Sequence, residues 1–242
     1  MKNPQAWNSS KFVFDGDRIA GPAYDRLLPA SYFLNTVMLP EYARIIAEHS
    51  ARDLLDLGCG TVPYYGIYKN KVSSVHCVDW PNCVHSQEHV DTFCDLNQPL
   101  PFEDQQFDTI LLTDVLEHIY RPLGLLSEVS RILRPNGKLL LFVPFYYWIH
   151  EAPFDYYRYT AHALRRFCDD CRLDVVLLEP YGGFFDVLFD LINKKFFNRR
   201  LTAKILVRAV KPLFLSKRYL RIRASTAVNF PLGYCLVAQR LK

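Results

Sequence analysis

The fold is decided by the stretch Asp53-Leu54-Leu55-Asp56-Leu57-Gly58-Cys59-Gly60, which is followed about twenty residues later by Asp79. Its apolar residues predict a buried strand, and its two glycines predict a tight turn at the strand's carboxyl end. Residues 74–78 predict a second short strand, which ends in the Asp79 carboxylate. A glycine turn lets a ligand approach the backbone closely, and a carboxylate one strand away can accept hydrogen bonds from ribose hydroxyls. The pattern therefore indicates a nucleoside-bearing cofactor.

The same turn argues against a dinucleotide. A dinucleotide fingerprint requires G-x-G-x-x-G, whose third glycine permits close helix packing below the pyrophosphate. Here Gly60 is followed by Thr61, Val62 and Pro63, and a proline has no backbone N–H to donate. The loop is suited to a nucleoside rather than a pyrophosphate. An ordinary strand-to-helix turn is the alternative when the glycine pair is considered by itself.

Further motifs follow this turn in a definite order. They are Val78-Asp79, Cys94-Asp95-Leu96 before Pro99-Leu100-Pro101-Phe102, Phe107-Asp108-Thr109-Ile110-Leu111-Leu112 with Val115-Leu116-Glu117-His118-Ile119, and Arg131-Ile132-Leu133-Arg134-Pro135-Asn136-Gly137-Lys138-Leu139. Together with the first stretch they make the chain resemble the class I S-adenosylmethionine-dependent methyltransferases, over about residues 51–180 and the last ten. The pair Pro63-Tyr64 resembles a type 11-like branch found among polysaccharide-biosynthesis and other small-molecule methyltransferases. Val62 departs from the family pattern, because many members have a further glycine there.

The resemblance implies an α/β, Rossmann-like class I methyltransferase fold. This is a mostly parallel seven-stranded sheet with helices on both faces and an antiparallel last strand, inserted between the fifth and sixth strands. The residues agree with it, because short apolar runs predict strands at 52–57, 74–79, 91–94, 108–113, 137–143, 173–179 and 233–238. Apolar residues at helical spacing predict a helix over 115–133. We expect three parts: an N-terminal helical cap without strands at 1–50, the cofactor-binding domain at 51–180 plus 231–242, and a basic, largely helical insertion at 181–230.

The resemblance also assigns cofactor-binding positions, and S-adenosyl-L-methionine is the cofactor it implies. Asp56, Gly58, Cys59 and Gly60 are expected around the methionine part, and Asp79 at the ribose hydroxyls. Trp80, Asp95 and Leu96 are expected at the adenine. Asp114, at the end of the fourth predicted strand, is expected near the methionine ammonium group. The alternative for Asp114 is a helix N-cap.

The predicted acceptor side is the loop over 144–160, which combines many aromatic residues with His, Glu, Asp and Arg. Loops at the carboxyl ends of strands are where open α/β sheets bind ligands. His150 is the first candidate for a general base, because the usual pKa of histidine lies near neutral pH. Glu151 and Asp155 are alternatives to His150 or partners that orient it, and His118 is a further candidate catalytic residue. The candidate acceptor-binding residues are Tyr147, Tyr157 and Arg158.

A structural interpretation of these residues stays open at this point. Thr160 could cap the next helix while Arg158 forms a structural ion pair. Glu117 and His118 could make only supporting hydrogen bonds. No metal is expected, because no compact ligand motif occurs. The C-x-x-C spacing of Cys168 and Cys171 has no second ligand pair.

Charge is distributed unevenly along the chain. Residues 191–230 hold eleven Lys and Arg and no Asp or Glu, which leaves 18 basic and 25 acidic residues in the remainder. Arg200, Lys204, Arg208 and Lys211 recur at helical spacing, opposite an expected apolar face of Ile205, Leu206, Ala209 and Val210. Such a helix suits an anionic membrane surface, and we expect this partner at residues 191–223. A solvated helix packed on the sheet is the alternative.

These observations predict an S-adenosylmethionine-dependent methyltransferase acting on a small molecule, with a hydroxyl of a saccharide or lipid-linked saccharide first among acceptors. The alternatives are a nucleic-acid methyltransferase and a non-catalytic cofactor-binding adaptor. Nucleic acid is the less favoured acceptor, because the Asn/Asp-Pro-Pro-aromatic motif of many base-amine methyltransferases is absent. The polar N-terminus and seven scattered cysteines favour the cytoplasm, including the inner face of the membrane.

Overall fold

The computed structural model describes residues 1–16, 18–83, 86–197, 199–214 and 216–241. Its strands are β1 (Phe12–Asp15), β2 (Arg18–Pro22), β3 (Arg52–Leu57), β4 (Val72–Asp79), β5 (Thr92–Phe93), β6 (Phe107–Thr113), β7 (Leu133–Pro144), β8 (Leu173–Tyr181) and β9 (Gly233–Arg240). Its α-helices are α1 (Tyr32–His49), α2 (Tyr65–Tyr68), α3 (Pro122–Ile132), α4 (Ala161–Asp170), α5 (Phe184–Phe196), α6 (Arg200–Phe214) and α7 (Lys217–Thr226).

The central sheet has seven strands in the order β5-β4-β3-β6-β7-β9-β8. Pairs among the first five strands are parallel, while β9 runs antiparallel to both β7 and β8. The predicted fold class is therefore confirmed, including the last strand inserted between its two neighbours. The order reverses between β3 and β6, and such a switch point opens a crevice at the carboxyl ends of these strands.

Both faces of the sheet are covered. Alternate side chains point to opposite faces of a strand: Leu54 packs in the core on the α1 side, and Leu55 packs in the core on the α3 side. Continuous apolar runs in β3, β6 and β7 follow from this double burial.

Two local predictions need correction. The helix expected over 115–133 is a 3₁₀ turn at Leu116–His118 followed by α3. Residues 119–121 separate the two pieces, and α3 begins at Pro122, because a proline fits the first turn of a helix and not its interior. Residues 1–50 hold the antiparallel hairpin β1–β2 as well as α1, so the N-terminal part is not purely helical.

The segment 181–230 contains α5, α6 and α7. Helices α5 and α6 pack against the N-terminal part, and α7 packs against α5 and α6. The Asn193 side chain donates to the carbonyls of Pro29 and Ala30, at 3.0 and 2.7 Å. Within the segment, buried Asp186 accepts two hydrogen bonds from the Arg223 guanidinium, at 2.9 and 2.8 Å. These hydrogen bonds attach the segment to the N-terminal part beside the crevice.

The face of α6 differs from the prediction. The four basic side chains at 200, 204, 208 and 211 are exposed as expected. However, Ala203 and Val207 form the buried side, whereas Ile205 is 56% exposed. The helix also continues through Pro212 to Phe214. Apolar and basic side chains therefore share its outer surface.

Candidate functional site

A cleft of about 830 Å³ lies at the switch point. It is lined by the turn after β3, the ends of β4 and β6, the loop after β7, and residues from the N-terminal part that include Lys11, Asn35 and Met38. Its volume lies in the upper part of the range for ligand pockets, roughly 300–1,000 Å³. The cleft therefore has room for more than one small ligand.

The turn after β3 depends on its glycines. Gly58 and Gly60 have φ of 70° and 53°, in the left-handed region that favours glycine. A Cβ on Gly58 would lie 2.5 Å from Cγ2 of Val115. Val62, which replaces the glycine common in the resembled family, also has positive φ, at 50°. The tryptophan N–H of Trp7 donates to the Val62 carbonyl at 2.9 Å, which helps to hold this unfavourable conformation.

Asp79 links the glycine turn to the end of β4. One carboxylate oxygen accepts the Gly60 N–H at 2.8 Å, and the other accepts the Trp80 N–H at 2.7 Å. Each carboxylate oxygen can accept about two hydrogen bonds. Because Asp79 lines the cleft, it retains acceptor capacity for two neighbouring hydroxyl groups of a ligand.

The neighbouring wall has a polar and an aromatic component. Asp95 and Leu96 line the cleft beside Trp80. One Asp95 oxygen accepts from the backbone and side-chain nitrogens of Asn97, at 2.9 and 3.0 Å. The Trp80 ring meets the Phe154 ring edge to face at 5.2 Å. This wall suits a flat, polar-edged ring.

Asp114 sits at the end of β6 with φ of 54°. Its carboxylate accepts the Tyr42 hydroxyl at 2.8 Å and lies 4.0 Å from the Lys11 ammonium. The following 3₁₀ turn has no side-chain cap, so the N-cap interpretation is wrong for Asp114. Its carboxylate faces the cleft as an anionic group that can meet a ligand cation.

Asp56 lies beneath the turn and is 1% exposed. The Tyr68 hydroxyl donates to its carboxylate at 3.0 Å. Burial raises its pKa to about 7, against the lowering effect of that hydrogen bond and with a further increase from the nearby Asp79 charge. Asp56 is absent from the described lining of the cleft, so it supports the turn from below.

Another part of the cleft has a cluster of titratable groups. Glu117 Oε1 lies 3.9 Å from His118 Nε2 and 4.0 Å from His150 Nε2. Glu117 is fully buried, and neither carboxylate oxygen has a hydrogen-bond partner among the described residues. Burial raises its pKa well above the ordinary value. Burial also lowers the pKa of His150, and the adjacent His118 lowers it further.

Comparison with known proteins agrees with this architecture. A type 11 family model described as "Methyltransferase domain" matches residues 55–141. Over 130 residues the chain is 30% identical to the "Probable tRNA methyltransferase 9B" of Bos taurus, an alignment that takes 50% of this chain and 28% of that protein. This chain thus spans little more than a quarter of that relative's length.

Two solved structures show the same fold at low identity. A SAM-dependent methyltransferase from Archaeoglobus fulgidus gives a TM-score of 0.54 at 16% identity, over 84% of this chain and 94% of that one. The cyclase SpnF also gives 0.54, at 15% identity over 96% of this chain and 88% of that one. The chain carries a class I methyltransferase domain. The predicted family and its cofactor, S-adenosylmethionine, are confirmed.

Most predicted cofactor-binding positions of this methyltransferase domain surround one part of the cleft. The described lining includes Gly58, Cys59, Gly60, Asp79, Trp80, Asp95, Leu96 and Asp114. The glycine turn that a Cβ would obstruct, and the remaining acceptor capacity of Asp79, fit an adenosyl ligand. Among the predicted positions, Asp56 is the exception described above.

Three predicted acceptor-side residues make contacts within the protein. The Arg158 guanidinium holds both Asp155 carboxylate oxygens, at 2.5 and 2.8 Å, and this pairing lowers the pKa of Asp155. The Thr160 side chain caps α4 by accepting from the Ala163 N–H. Arg158, Asp155 and Tyr157 are not part of the described lining, and their contact with an acceptor stays a prediction. Asp155 lies 3.3 Å from His150 Nδ1, where it can orient that ring. The Arg158–Asp155 pair is local in sequence, whereas the Tyr157 hydroxyl donates to the distant Tyr120 carbonyl at 3.2 Å.

His118, His150, Glu151 and Tyr147 do line the cleft. Tyr147 is overlain by the Lys194 ammonium of α5, 4.3 Å from the ring centre. Lys194 also pairs with Asp190, so α5 supports this wall from outside. The role of these residues in binding or catalysis stays a prediction.

Sequence reasoning missed Glu117 as a site residue. It was treated as a partner of its neighbour His118, and its burial among imidazoles depends on the path of a loop more than thirty residues away. A signal was present, because a glutamate within the apolar run Val115-Leu116-Glu117-His118-Ile119 is rarely buried without a partner.

Proposed function

We propose that this protein transfers a methyl group from S-adenosylmethionine to a small-molecule acceptor, and that the acceptor atom is a hydroxyl oxygen of a saccharide or lipid-linked saccharide. The observation that carries the proposal is one cleft lined by two chemically different sets of residues. Asp79 and the glycine turn belong to one set, and paired imidazoles with aromatic side chains belong to the other. Two reactants can therefore be held side by side.

The bound cofactor supplies a methyl group on a positively charged sulfur, and the protein supplies position. Asp79 would accept hydrogen bonds from the ribose hydroxyls, and Asp95 from the adenine amine. Asp114 would face the methionine ammonium. Alignment of two bound reactants can provide about 7–11 kcal/mol of barrier reduction, so few residues need to take part chemically.

A hydroxyl acceptor must lose its proton during the reaction. His150 faces the cleft with Nε2, while its Nδ1 lies 3.3 Å from the Asp155 carboxylate. This arrangement orients the ring and suits a general base, with Asp155 as a positioning residue. His118 and Glu151 are the further candidates in this part of the cleft.

Calorimetric titration with S-adenosylmethionine tests the cofactor site. We expect Asp79→Ala to bind about 10- to 100-fold more weakly, because two hydrogen bonds to a charged acceptor are lost. Asp174→Ala is the control, since Asp174 is exposed on β8 away from the cleft. Equal affinity of Asp79→Ala and the parent protein would reject the ribose assignment.

Release of S-adenosylhomocysteine tests the reaction and the acceptor. We expect turnover with hydroxyl-bearing saccharides or lipid-linked saccharides, and a decrease of about 10²–10⁴ in His150→Ala with S-adenosylmethionine affinity retained. Unchanged turnover in His150→Ala would remove this residue from the mechanism.

Methylation of tRNA is the second candidate. The relative named above supports it, as do the exposed basic side chains of α6, which can contact phosphates without selecting a sequence. Transfer to tRNA but not to saccharides, with binding that weakens steeply as salt rises, would favour this candidate.

A non-catalytic adaptor is the third candidate, because one fold supports different functions and the cyclase SpnF shares this one. Cofactor binding without release of S-adenosylhomocysteine, across saccharide, lipid and tRNA acceptors, would support it.

We also propose that α5 and α6 contact an anionic membrane surface from the cytoplasmic side. Exposed Phe196 and Leu201 lie beside the basic side chains, and all seven cysteines are free thiols. Among the helices of the described residues, none has the length and apolar character needed to cross a bilayer. Co-sedimentation with anionic vesicles, lost when residues 200, 204, 208 and 211 are changed to Gln, is the expected result. Equal recovery in the supernatant with and without vesicles would contradict it.

A further inference from the structure

Three side chains meet in the acceptor part of the cleft with electron-pair donors facing one another. His118 Nε2 and His150 Nε2 lie 3.9 and 4.0 Å from Glu117 Oε1. One ligand atom from each residue lies within 4.8 Å of the other two. These distances are too long for hydrogen bonds. They are short enough for a single ion to touch all three groups.

The hydrogen-bond partners of the two Nδ1 atoms show which nitrogen of each imidazole carries the proton. His118 Nδ1 lies 2.8 Å from the Phe154 carbonyl. His150 Nδ1 lies 3.3 Å from the Trp148 carbonyl and 3.3 Å from Asp155 Oδ2. All these partners only accept hydrogen bonds, so Nδ1 is the donor in both neutral rings and Nε2 keeps its lone pair.

Histidines that bind metals usually have this arrangement of hydrogen bonds. A ligating histidine donates its other N–H to a carbonyl or carboxylate, which fixes the ring and strengthens the ligand. Asp155 is itself held by Arg158. The two imidazoles are thus oriented before any ligand arrives.

Glu117 supplies an independent observation. It has no exposed surface, and both oxygens lack a hydrogen-bond partner among the described residues, although the residue lines the cleft. A buried carboxylate without a partner is unfavourable. Two neutral imidazoles that present lone pairs cannot donate to it, whereas a cation would satisfy all three groups at once.

We propose that Glu117, His118 and His150 bind one divalent transition-metal cation. Atoms at the observed separations leave a central point at most about 2.5 Å from each, so shifts of a few tenths of an ångström reach the roughly 2.0–2.2 Å of Zn–N and Zn–O bonds. Two imidazoles and one carboxylate suit Zn²⁺, Mn²⁺, Fe²⁺ or Co²⁺ better than Mg²⁺ or Ca²⁺, which prefer oxygen ligands. The remaining coordination positions open into the cleft.

The consequence for methyl transfer rests on the proposed function. A hydroxyl that coordinates the cation loses its proton more readily, and this proton passes to solvent. The O–CH₃ bond forms as the CH₃–S bond breaks, and the sulfur keeps the bonding electron pair. In this metal-dependent mechanism His150 is a metal ligand, and the cation takes over the role that a general base would have.

The test is calorimetric titration of chelator-treated protein with Zn²⁺. We expect one Zn²⁺ per chain in the parent protein. We expect at least about 10- to 100-fold weaker binding in Glu117→Gln and in His118→Gln, by comparison with the loss caused by removing even a supporting residue. His162→Gln is the matched control, because His162 is exposed on α4, and it should bind as the parent does.

Thermal denaturation gives a second readout that does not depend on activity. Zn²⁺ at 100 times the Kd of the parent protein should stabilise the parent by about 2.7 kcal/mol and Glu117→Gln by no more than about 0.4–1.4 kcal/mol, which follows from binding that is 100- to 10-fold weaker. Without metal, Glu117→Gln should melt at or above the temperature of the parent, because the unpartnered carboxylate is gone. A lower melting temperature of the metal-free variant would contradict this account of Glu117.

The proposal is overturned if the parent protein binds no Zn²⁺, or if Glu117→Gln binds one Zn²⁺ as tightly as the parent does. Failure of the proposed function is distinguishable from this. Asp79→Ala should lose cofactor affinity and keep Zn²⁺ binding, whereas Glu117→Gln should do the reverse.

Discussion

Replacement of Asp56 by Asn should change how the stability of this protein depends on pH. Asp56 is buried beneath the glycine turn, where the Tyr68 hydroxyl donates to it. Burial raises its pKa from 3.8 to about 7. The folded protein therefore holds this proton more tightly than the unfolded chain does. Folding takes up a proton between about pH 4 and pH 7, and the contribution of Asp56 to the free energy of unfolding falls as pH rises through this window.

The size of the effect follows from the shift. A difference of about three pKa units, at 1.36 kcal/mol each, corresponds to about 4 kcal/mol between pH 4 and pH 8. Asn cannot titrate, and its amide adds a penalty of about 1–3 kcal/mol for an unpaired donor that is the same at every pH. The stability of Asp56→Asn relative to the parent should therefore rise by about 4 kcal/mol across this window.

Urea denaturation followed by circular dichroism, at intervals from pH 4 to pH 8.5, measures this difference. Other titrating groups are common to both proteins and cancel. Tyr68→Phe is a useful second variant, because loss of the hydroxyl donor should move the window to higher pH. The reasoning would be refuted if the difference in free energy of unfolding between Asp56→Asn and the parent changed by less than about 0.5 kcal/mol from pH 4 to pH 8.5. A change of that size is within the usual scatter of such differences.

Three other substitutions test particular features of the fold. Gly58→Ala should destabilise the protein by about 2–4 kcal/mol in thermal unfolding, because its Cβ would collide with Val115 at positive φ; a change below 1 kcal/mol, roughly the Gly-to-Ala difference at an unstrained site, would contradict this. Val62→Gly should be at least as stable as Val62→Ala, the reverse of the usual order, because only glycine relieves the left-handed backbone; a clearly less stable glycine variant would show that no strain is present. Arg158→Met should destabilise the protein by about 1–3 kcal/mol, because the Asp155 carboxylate loses two charge-assisted hydrogen bonds and keeps only those from His150, and it should leave S-adenosylmethionine affinity unchanged by calorimetry. A large loss of that affinity would return Arg158 to the binding site. The stability that Arg158 provides through Asp155 should be present above about pH 4 and be lost as pH falls below it, since the pKa of Asp155 is lowered in the folded protein.

The cofactor part of the cleft was accessible to sequence reasoning because its signals are local. A strand followed by two glycines specifies a turn, and the carboxylate of Asp79 ends the next strand. In a parallel sheet the carboxyl ends of neighbouring strands meet at one edge. The relation between these positions therefore needs no knowledge of loop paths.

The acceptor part was less accessible because its contacts join distant segments. Arg158 pairs with Asp155 three residues away, whereas the Tyr157 hydroxyl donates to the Tyr120 carbonyl 37 residues away, and neither residue belongs to the described lining of the cleft. On α6, tertiary packing selected Ala203 and Val207 as the buried side, where helical spacing alone allowed several faces.

Hydrophobic period and the two-glycine turn are properties of a few neighbouring residues, and they determined the strands and the candidate adenosyl-binding turn. The expected order of the strands in the sheet came from the resemblance to a known family. The meeting of Glu117 with His118 and His150 depended on where a long loop returns after β7. Packing of complete elements decides that return path, so only the tertiary structure placed two imidazoles around a buried carboxylate.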